Sequence, residues 1–319
     1  MKPQIGFVLG AGRGTRLRSL TERLPKPLIP VFNKPLITYA FERLAEVGIQ
    51  KILINTHHCA EAYQKIFPQT IEGRASYEGL DLEFRFEPVL LDTAGGIYNF
   101  RDRIGKESIL VYNGDVLSSF SLKNAMASHF ASGNLATLIL RSAGGPLQVQ
   151  WNAETGLVED VRGQLGGSVQ PSFLFTGIYL VRPDLFSSIP EGVPLSVTPL
   201  LIERMRQGDR IGGVLADDGD WWDMGTREAY LSVHEALFAK VKAGKIPKAS
   251  VVHPTAQVSS LATLKGFYAI GPRTVVEAGA VVEESILWED CVIRKGTKLS
   301  RCIVRSGSEV SENIHDKDF

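Results

Sequence analysis

Two stretches of basic and small residues near the start of the chain are suited to holding an anion. The first is Leu9-Gly10-Ala11-Gly12-Arg13-Gly14-Thr15-Arg16-Leu17. Glycines let backbone N–H groups approach a negative ligand closely, and a helical turn after the loop would point its positive end at phosphate. The spacing is not the dinucleotide Gly-x-Gly-x-x-Gly, and no Lys-Ser/Thr follows as a P-loop requires. Arg13 and Arg16 instead place positive charge inside the loop. The second stretch is Leu24-Pro25-Lys26-Pro27-Leu28, where two prolines stiffen the backbone on either side of a single lysine.

Two acidic residues supply the opposite charge. Asp115 follows the apolar run Ile109-Leu110-Val111-Tyr112, at the carboxyl end of a strand, where open α/β sheets bind their ligands. Asp223 lies between Trp221-Trp222 and Met224-Gly225. A hard divalent cation such as Mg²⁺ takes one or two carboxylates together with phosphate oxygens and water, and Asp115 with Asp223 could provide that pair. Each also has an ordinary structural reading: Asp115 as part of a Gly-Asp turn, Asp223 as a helix cap ahead of Thr226.

These residues have to be positioned by regular elements. Up to residue 244, short apolar strands alternate with amphipathic helical stretches, the pattern of an α/β domain with a mostly parallel sheet. Strands are expected at 5–9, 51–55, 82–86, 109–112, 135–141, 173–181 and 211–215, with a hairpin-rich insertion at 147–161. Helices are expected at 35–47, 60–67, 95–103, 121–132, 197–207 and 227–242. In the first of these Leu36, Ala40, Leu44 and Val47 share one face, and Gly48 caps its end.

After Pro247 the period changes. Val252, Val258, Leu264, Ile270, Val276 and Val282 recur every six residues, and Leu287, Ile293, Leu299, Val304 and Val310 continue the series with two five-residue steps. A helix cannot use such a period. A parallel β-helix can, and three hexapeptides per coil give about three coils, near the minimum for a stable solenoid. The division is therefore expected at residue 246, with a catalytic domain over 1–246 and a hexapeptide-repeat domain over 247–319.

Composition narrows the partners. The 319 residues are 44% hydrophobic and 22% charged, and 35 basic residues balance 35 acidic ones. No net field draws the chain to nucleic acid or an anionic membrane, so an anionic ligand depends on locally placed groups. Cys59, Cys291 and Cys302 are scattered, which suggests neither a disulfide framework nor a structural zinc site. No secretory pattern precedes Gly6-Phe7-Val8-Leu9, and no run approaches the ~18 apolar residues of a membrane span. The expectation is a soluble, cytoplasmic protein.

Residues 5 to about 240 resemble the sugar-1-phosphate nucleotidylyltransferases, also called NDP-sugar pyrophosphorylases. The resemblance is carried by the loop from Leu9 to Leu17, Leu20-Thr21, Pro25-Lys26-Pro27-Leu28, Pro30-Val31 and Leu91-Asp92-Thr93-Ala94-Gly95-Gly96. Asn113-Gly114-Asp115, Phe175-Thr176-Gly177-Ile178-Tyr179 and Trp221-Trp222-Asp223-Met224-Gly225-Thr226 extend it. The hexapeptides resemble the left-handed β-helix of mannose-1-phosphate guanylyltransferase-like members. The resemblance implies a doubly wound, Rossmann-like nucleotide-binding fold and the condensation of an NTP with a sugar 1-phosphate, releasing pyrophosphate. It implies that Arg16 and the amides from Gly10 through Ala11, Gly12, Arg13 and Gly14 to Thr15 hold the leaving phosphates, while Lys26 reaches the α-phosphate. Mg²⁺ would sit on Asp115 and Asp223. Thr93, Ala94, Gly95 and Gly96 would line base and ribose, with Gly114, Thr176 and Gly177 toward the sugar.

The sequence departs from the family at one point. Many members carry a Glu-Lys-Pro segment whose lysine binds the sugar phosphate, whereas this chain has no lysine between Lys123 and Lys240. Arg162 is the candidate replacement and Arg141 the second; a solvated surface arginine is the plain alternative. Asn55-Thr56-His57-His58 is similar to members acting on mannose, heptose or muramic 1-phosphates. Two rival functions remain: a bifunctional nucleotidyltransferase and acyltransferase, for which His253 is the candidate, and a non-catalytic nucleotide-sugar-sensing subunit. A cytidylyltransferase acting on an alcohol phosphate is a third. The repeat domain is expected to mediate homo-oligomerisation and to be dispensable for the chemistry.

Overall fold

The computed structural model describes residues 3–68, 73–166, 172–247 and 251–319. The chain forms two compact units. One comprises residues 1–13, 25–27 and 37–223, the other residues 14–24, 28–36 and 224–319. Among the described residues no helix is long and apolar enough to cross a membrane.

The first unit is built on a ten-stranded mixed sheet. In spatial order its strands are Val149–Asn152, Leu157–Val161, Ile211–Leu215, Ala136–Arg141, Ser172–Val181, Ile109–Asn113, Ile5–Leu9, Lys51–Thr56, Leu80–Phe86 and Arg74–Tyr77. Ile5–Leu9 pairs in parallel with Ile109–Asn113 on one side and Lys51–Thr56 on the other, and Lys51–Thr56 pairs in parallel with Leu80–Phe86. Ile5–Leu9, Ile109–Asn113 and Lys51–Thr56 carry the near-continuous apolar runs expected of strands buried on both faces, whereas Leu80–Phe86 alternates apolar and charged residues. The sheet is not mostly parallel throughout. Ser172–Val181 runs antiparallel to both of its neighbours, and Val149–Asn152 with Leu157–Val161 forms the antiparallel hairpin at the far edge. Alternation of apolar runs cannot reveal the direction of the long 172–181 strand, because a central strand is apolar either way.

Helix Leu36–Glu46 follows the expected spacing, with Leu36, Ala40 and Leu44 buried along with Ile37 and Phe41. The stretch expected as one helix over 95–103 is two, Asp92–Tyr98 and Arg101–Ile104. Phe100, between them, is buried edge-on against Phe7, with ring centres 5.3 Å apart.

In the second unit, Gln257–Val258, Val275–Val276, Val292–Ile293 and Glu309–Val310 stack in parallel, and Thr263–Ile270, Val281–Leu287, Lys298–Ser300 and Ile314–His315 form a second parallel stack. Val258 lies against Val276, Val276 against Ile293, and Ile293 against Val310, so successive layers are 18, 17 and 17 residues apart. A 17-residue layer is two sixes and a five, which accounts for the two five-residue steps. All eleven periodic positions line one apolar interior, together with Cys291 and Cys302, both free thiols. Helix Arg227–Lys242 belongs to this unit, although its sequence pattern reads as the close of the preceding domain. Phe238 packs on Tyr268 with ring centres 5.0 Å apart, and Trp288 Nε1 donates to the Tyr230 hydroxyl at 3.1 Å.

Each unit buries a histidine. His129 lies between Thr137 Oγ1 at 3.0 Å and Ser108 Oγ at 2.9 Å, and burial, with Arg182 nearby, lowers its pKa to about 4. His234 accepts from the Phe32 amide at Nε2, 3.0 Å away, and Nδ1–H donates to the Tyr230 carbonyl at 2.8 Å; burial lowers its pKa to about 4. Unfolded histidine titrates near 6.5, so between pH 6.5 and 4 the unfolded chain binds protons that the native one does not, and stability falls with falling pH. Each histidine should cost on the order of 3 kcal/mol across that window. Urea midpoints measured from pH 7 to 4 should fall for the native sequence and fall distinctly less for His129→Gln/His234→Gln.

Candidate active site

The carboxyl end of Ile5–Leu9 gathers the sequence-identified groups of the first unit. Leu9 accepts from the Gly114 amide at 3.0 Å, which ties the loop after the first strand to the turn that carries Asp115. A Cβ on Gly114 would stand 2.5 Å from that same carbonyl oxygen, so this close approach requires glycine. The Gly114 amide is thereby engaged within the fold.

Val116–Ser118, immediately after Asp115, pairs antiparallel with Trp221–Asp223, and Asp223 lies opposite Val116. This two-stranded ribbon brings together two carboxylates more than a hundred residues apart. Between them sits the lysine of the Pro-Lys-Pro segment. Lys26 Nζ donates to Asp115 Oδ2 at 2.6 Å and to Asp223 Oδ1 at 3.0 Å. Lys26 is 4% exposed, whereas the Asp115 and Asp223 side chains are 32% and 37% exposed. The ammonium is thus at the bottom and the carboxylates face the opening. Asp223 is not a helix cap, since Thr226 has that role, its Oγ1 accepting from the Ala229 amide at 3.1 Å.

The two carboxylates converge on a single cation position, here filled by the ammonium. Among the described residues no group of three or more His, Cys, Asp or Glu is placed to hold a metal. Two aspartates without a third ligand suit a hard cation that keeps phosphate oxygens and water in its shell, and do not suit zinc.

Behind the glycine loop lies a buried polar chain that the sequence does not advertise. The Gly10 amide donates to Asn55 Oδ1 at 2.9 Å, and Asn55 Nδ2 donates to Glu87 Oε1 at 2.8 Å. Glu87 Oε2 accepts from the Leu91 amide at 3.0 Å, ahead of helix Asp92–Tyr98. The Tyr63 hydroxyl donates to the Gly10 carbonyl at 2.8 Å. Glu87 is fully buried, and burial raises its pKa, partly offset by the bonds from Leu91 and Asn55. The available signal was a polar residue, Asn55, ending an apolar strand, and a glutamate directly before Pro88 at the end of the next.

Several of the sequence-identified groups have partners within the fold. Gly10 has both its amide and its carbonyl engaged, by Asn55 and Tyr63, so it anchors the loop. Gly12, Arg13, Thr15 and Arg16 are exposed, and Gly14 has φ 64° at the start of the 3₁₀ turn Thr15–Thr21. Ala94, Gly95 and Gly96 are buried in their helix, and the amides of Ala94 and Gly95 donate to the Leu195 carbonyl at 2.8 and 3.1 Å. Thr93 Oγ1 accepts from the Val197 amide at 2.6 Å. Thr93, Ala94 and Gly95 are thus bonded to the segment at residues 195–197.

On the sugar side, Thr176 is buried, its hydroxyl donating to the Ile139 carbonyl at 2.8 Å and its own carbonyl accepting from Trp221 Nε1 at 3.0 Å. It shapes the strand instead of presenting a hydroxyl. Gly177 has φ 78° at the register shift of Ser172–Val181, with the Asn113 side chain where a Cβ would go. Arg141 donates to the Ala216 and Gly219 carbonyls at 2.7 and 2.8 Å, which makes it structural. Arg162 is exposed on a turn and donates through Nε to Gln148 Oε1 at 2.9 Å. His57 Nδ1 lies 2.8 Å from the Glu87 carbonyl, and in the second unit His253 Nδ1 lies 2.9 Å from Thr255 Oγ1.

The first unit thus joins a mixed sheet with a parallel centre to a lysine held between two aspartates at its carboxyl edge. Residues 5–240 match the family model described as nucleotidyl transferase, and the chain belongs to that family. It is 28% identical over 302 residues to the mannose-1-phosphate guanylyltransferase of Mycobacterium tuberculosis, spanning 92% of this chain and 82% of that protein. It is 32% identical over 229 residues to the N-acetylmuramate alpha-1-phosphate uridylyltransferase of Neisseria meningitidis serogroup B, spanning 69% of this chain and 92% of the other. A UTP–glucose-1-phosphate uridylyltransferase of Synechocystis is 24% identical over 332 residues, with 92% and 85% spanned.

The buried chain yields a test. A Cβ on Gly96 would stand 2.6 Å from Asn55 Nδ2 and 2.8 Å from Glu87 Oε1. Gly96→Ala should separate the pair and strand buried polar groups, at a cost of about 1–3 kcal/mol. Denaturant unfolding checks the loss, and Gly12→Ala, where a Cβ meets nothing within 4 Å, should fall within about 0.5 kcal/mol of the parent.

Proposed function

We propose that this nucleotidyltransferase condenses an NTP with a sugar 1-phosphate, giving an NDP-sugar and pyrophosphate. The observation that carries the reading is the Lys26 ammonium bridging Asp115 and Asp223 at the carboxyl edge of the sheet. A phosphate oxygen of the sugar 1-phosphate attacks the α-phosphorus, a P–O bond forms, and the bond to the β-phosphate oxygen breaks. The second pKa of a phosphate monoester is about 6, so the nucleophile is already largely dianionic at neutral pH and needs no general base. What the protein supplies is position and positive charge.

In this reading Lys26 is the point charge for the α-phosphate, fixed by burial and by its flanking prolines. Arg16, with a planar fork suited to two phosphate oxygens, holds the leaving phosphates with the amides from Ala11 to Thr15. Nucleotidyltransferases generally use a divalent metal; we assign Mg²⁺ to Asp115 and Asp223, where it would neutralise phosphate charge. Arg162, exposed on its turn, is assigned to the sugar phosphate in place of the family lysine. The acceptor is a mannose-, heptose- or N-acetylmuramate-like 1-phosphate. We read the stacked strands as a left-handed parallel β-helix, with 1–246 and 247–319 as the functional division, and the enzyme as a cytoplasmic homo-oligomer assembled through that β-helix.

Purified enzyme offered GTP, UTP, CTP, dTTP and ATP with mannose, glucose and N-acetylmuramate 1-phosphates should release pyrophosphate with at least one pair; silence across the panel refutes the reading. Asp115→Asn and Asp223→Asn should each lower kcat by about a hundredfold or more while circular dichroism is unchanged. Arg16→Ala should be more damaging than Arg13→Ala in the same assay.

A further inference from the structure

The turn that carries Arg16 lies in the same compact unit as the stacked strands, not with the strand it follows. Two arginines show what holds it there. Arg305, just after strand Ile303–Val304, donates through Nη1 to the Ser19 carbonyl at 2.9 Å and pairs with Glu22 at 3.3 Å. Ser19 is in the 3₁₀ turn Thr15–Thr21. The backbone of Arg305 is fixed in turn, its amide donating to the Phe319 carbonyl at 2.9 Å.

The second contact approaches from the other side. Arg227 Nε donates to Asp318 Oδ1 at 2.7 Å, Nη1 donates to Asp316 Oδ1 at 2.9 Å, and Nη2 donates to the Arg301 carbonyl. Arg227 opens helix Arg227–Lys242, and Gly225 lies two residues ahead of it. A Cβ on Gly225 would stand 2.5 Å from Nη2 and 2.7 Å from Cζ of Arg16, so the Arg16 guanidinium rests directly on the Gly225 backbone. The last layer of stacked strands therefore anchors both the turn that bears Arg16 and the segment on which its guanidinium lies.

We propose that this layer is a positioning element for Arg16, with Arg305 and Arg227 as its positioning residues. The proposal rests on the reading that Arg16 holds the leaving phosphates. A 3₁₀ turn has poor internal hydrogen-bond geometry and keeps its shape through outside partners. At its ends the turn is closed by the Leu17 amide and the Thr21 hydroxyl, which donate to the Gly14 carbonyl at 2.9 and 3.0 Å, and Arg305 adds a bond from outside it to the Ser19 carbonyl. Freeing it from Arg305 lets the guanidinium wander, and misplacement of a charge donor by an ångström is enough to lose most of its effect. On this proposal residues beyond 246 contribute to the chemistry, where the sequence suggests that they are dispensable for it.

The test uses the full chain with Arg305→Ala, Arg305→Lys and, as a control in the same stack, Arg294→Ala, which breaks only exposed pairs with Glu277 and Glu309. Hydrogen–deuterium exchange of residues 15–22 and the kinetic constants for NTP and for sugar 1-phosphate are measured separately. Arg305→Ala should speed exchange over 15–22 and lower kcat/KM for NTP by about ten- to a hundredfold, with KM for the sugar phosphate within twofold. Arg305→Lys should recover part of both effects, and Arg294→Ala should match the parent. Unchanged exchange at 15–22, or faster exchange with kcat/KM within twofold, overturns the proposal. If the parent enzyme uses no NTP, the functional reading of Arg16 fails on the parent alone. The exchange data then decide whether the layer holds the turn.

Discussion

A buried ammonium gripped by two carboxylates sets the terms for the rest of the first unit. Lys26 is 4% exposed, and such a charge is tolerated inside a protein only when opposite charges meet it at hydrogen-bond distance. Asp115 and Asp223 do so at 2.6 and 3.0 Å, from segments that must be delivered to one point. The turn at Gly114 brings the first, by packing against the Leu9 carbonyl. The ribbon between Val116–Ser118 and Trp221–Asp223 brings the second. Because the carboxylates are partly exposed and the ammonium is not, the site is a negative rim over a positive floor.

The glycine loop is held by a different device. Its first glycine is tied at both backbone groups, by Asn55 and by Tyr63, and Asn55 is locked through Glu87 to the start of helix Asp92–Tyr98. A fully satisfied polar chain in a dry interior fixes geometry in a way that apolar packing does not. It makes the loop's origin and the neighbouring helix one rigid piece, while Gly12 and Arg13 remain exposed. The proposed phosphate-holding role would draw on that rigidity, since groups fixed in advance lose little freedom when a ligand arrives.

The second unit is more than an appended repeat. Helix Arg227–Lys242 packs its aromatic residues against the stacked strands, and residues 14–24 and 28–36 belong to the same body. Residues adjacent in sequence, Arg13 and Gly14, thus fall in different compact units. The repeat was legible because its physics is one-dimensional: each layer needs one apolar residue inside per side, and that period survives in the sequence as Val, Leu or Ile every five or six residues.

Much of the protein was determined by sequence alone for the same kind of reason. Alternating apolar runs and amphipathic faces gave seven strands of the main sheet and most of the helices, since local periodicity records which side of an element is buried. They did not give the short pair Val116–Ser118 and Trp221–Asp223 that carries the two aspartates. The loop from Leu9 to Leu17, Lys26, Asp115 and Asp223 stood out because their chemistry is written in residue type and short spacing. Tertiary structure alone decided the rest. The direction of Ser172–Val181 leaves no trace in its composition. Whether Thr176, Thr93 or Gly10 faces a ligand or the fold depends on partners 37, 104 and 45 residues away. The meeting of Asp115 with Asp223 across Lys26, and the grip of Arg305 on the Ser19 carbonyl, are likewise long-range pairings. No local pattern encodes them, because the energy that selects them exists only once the distant strands have packed.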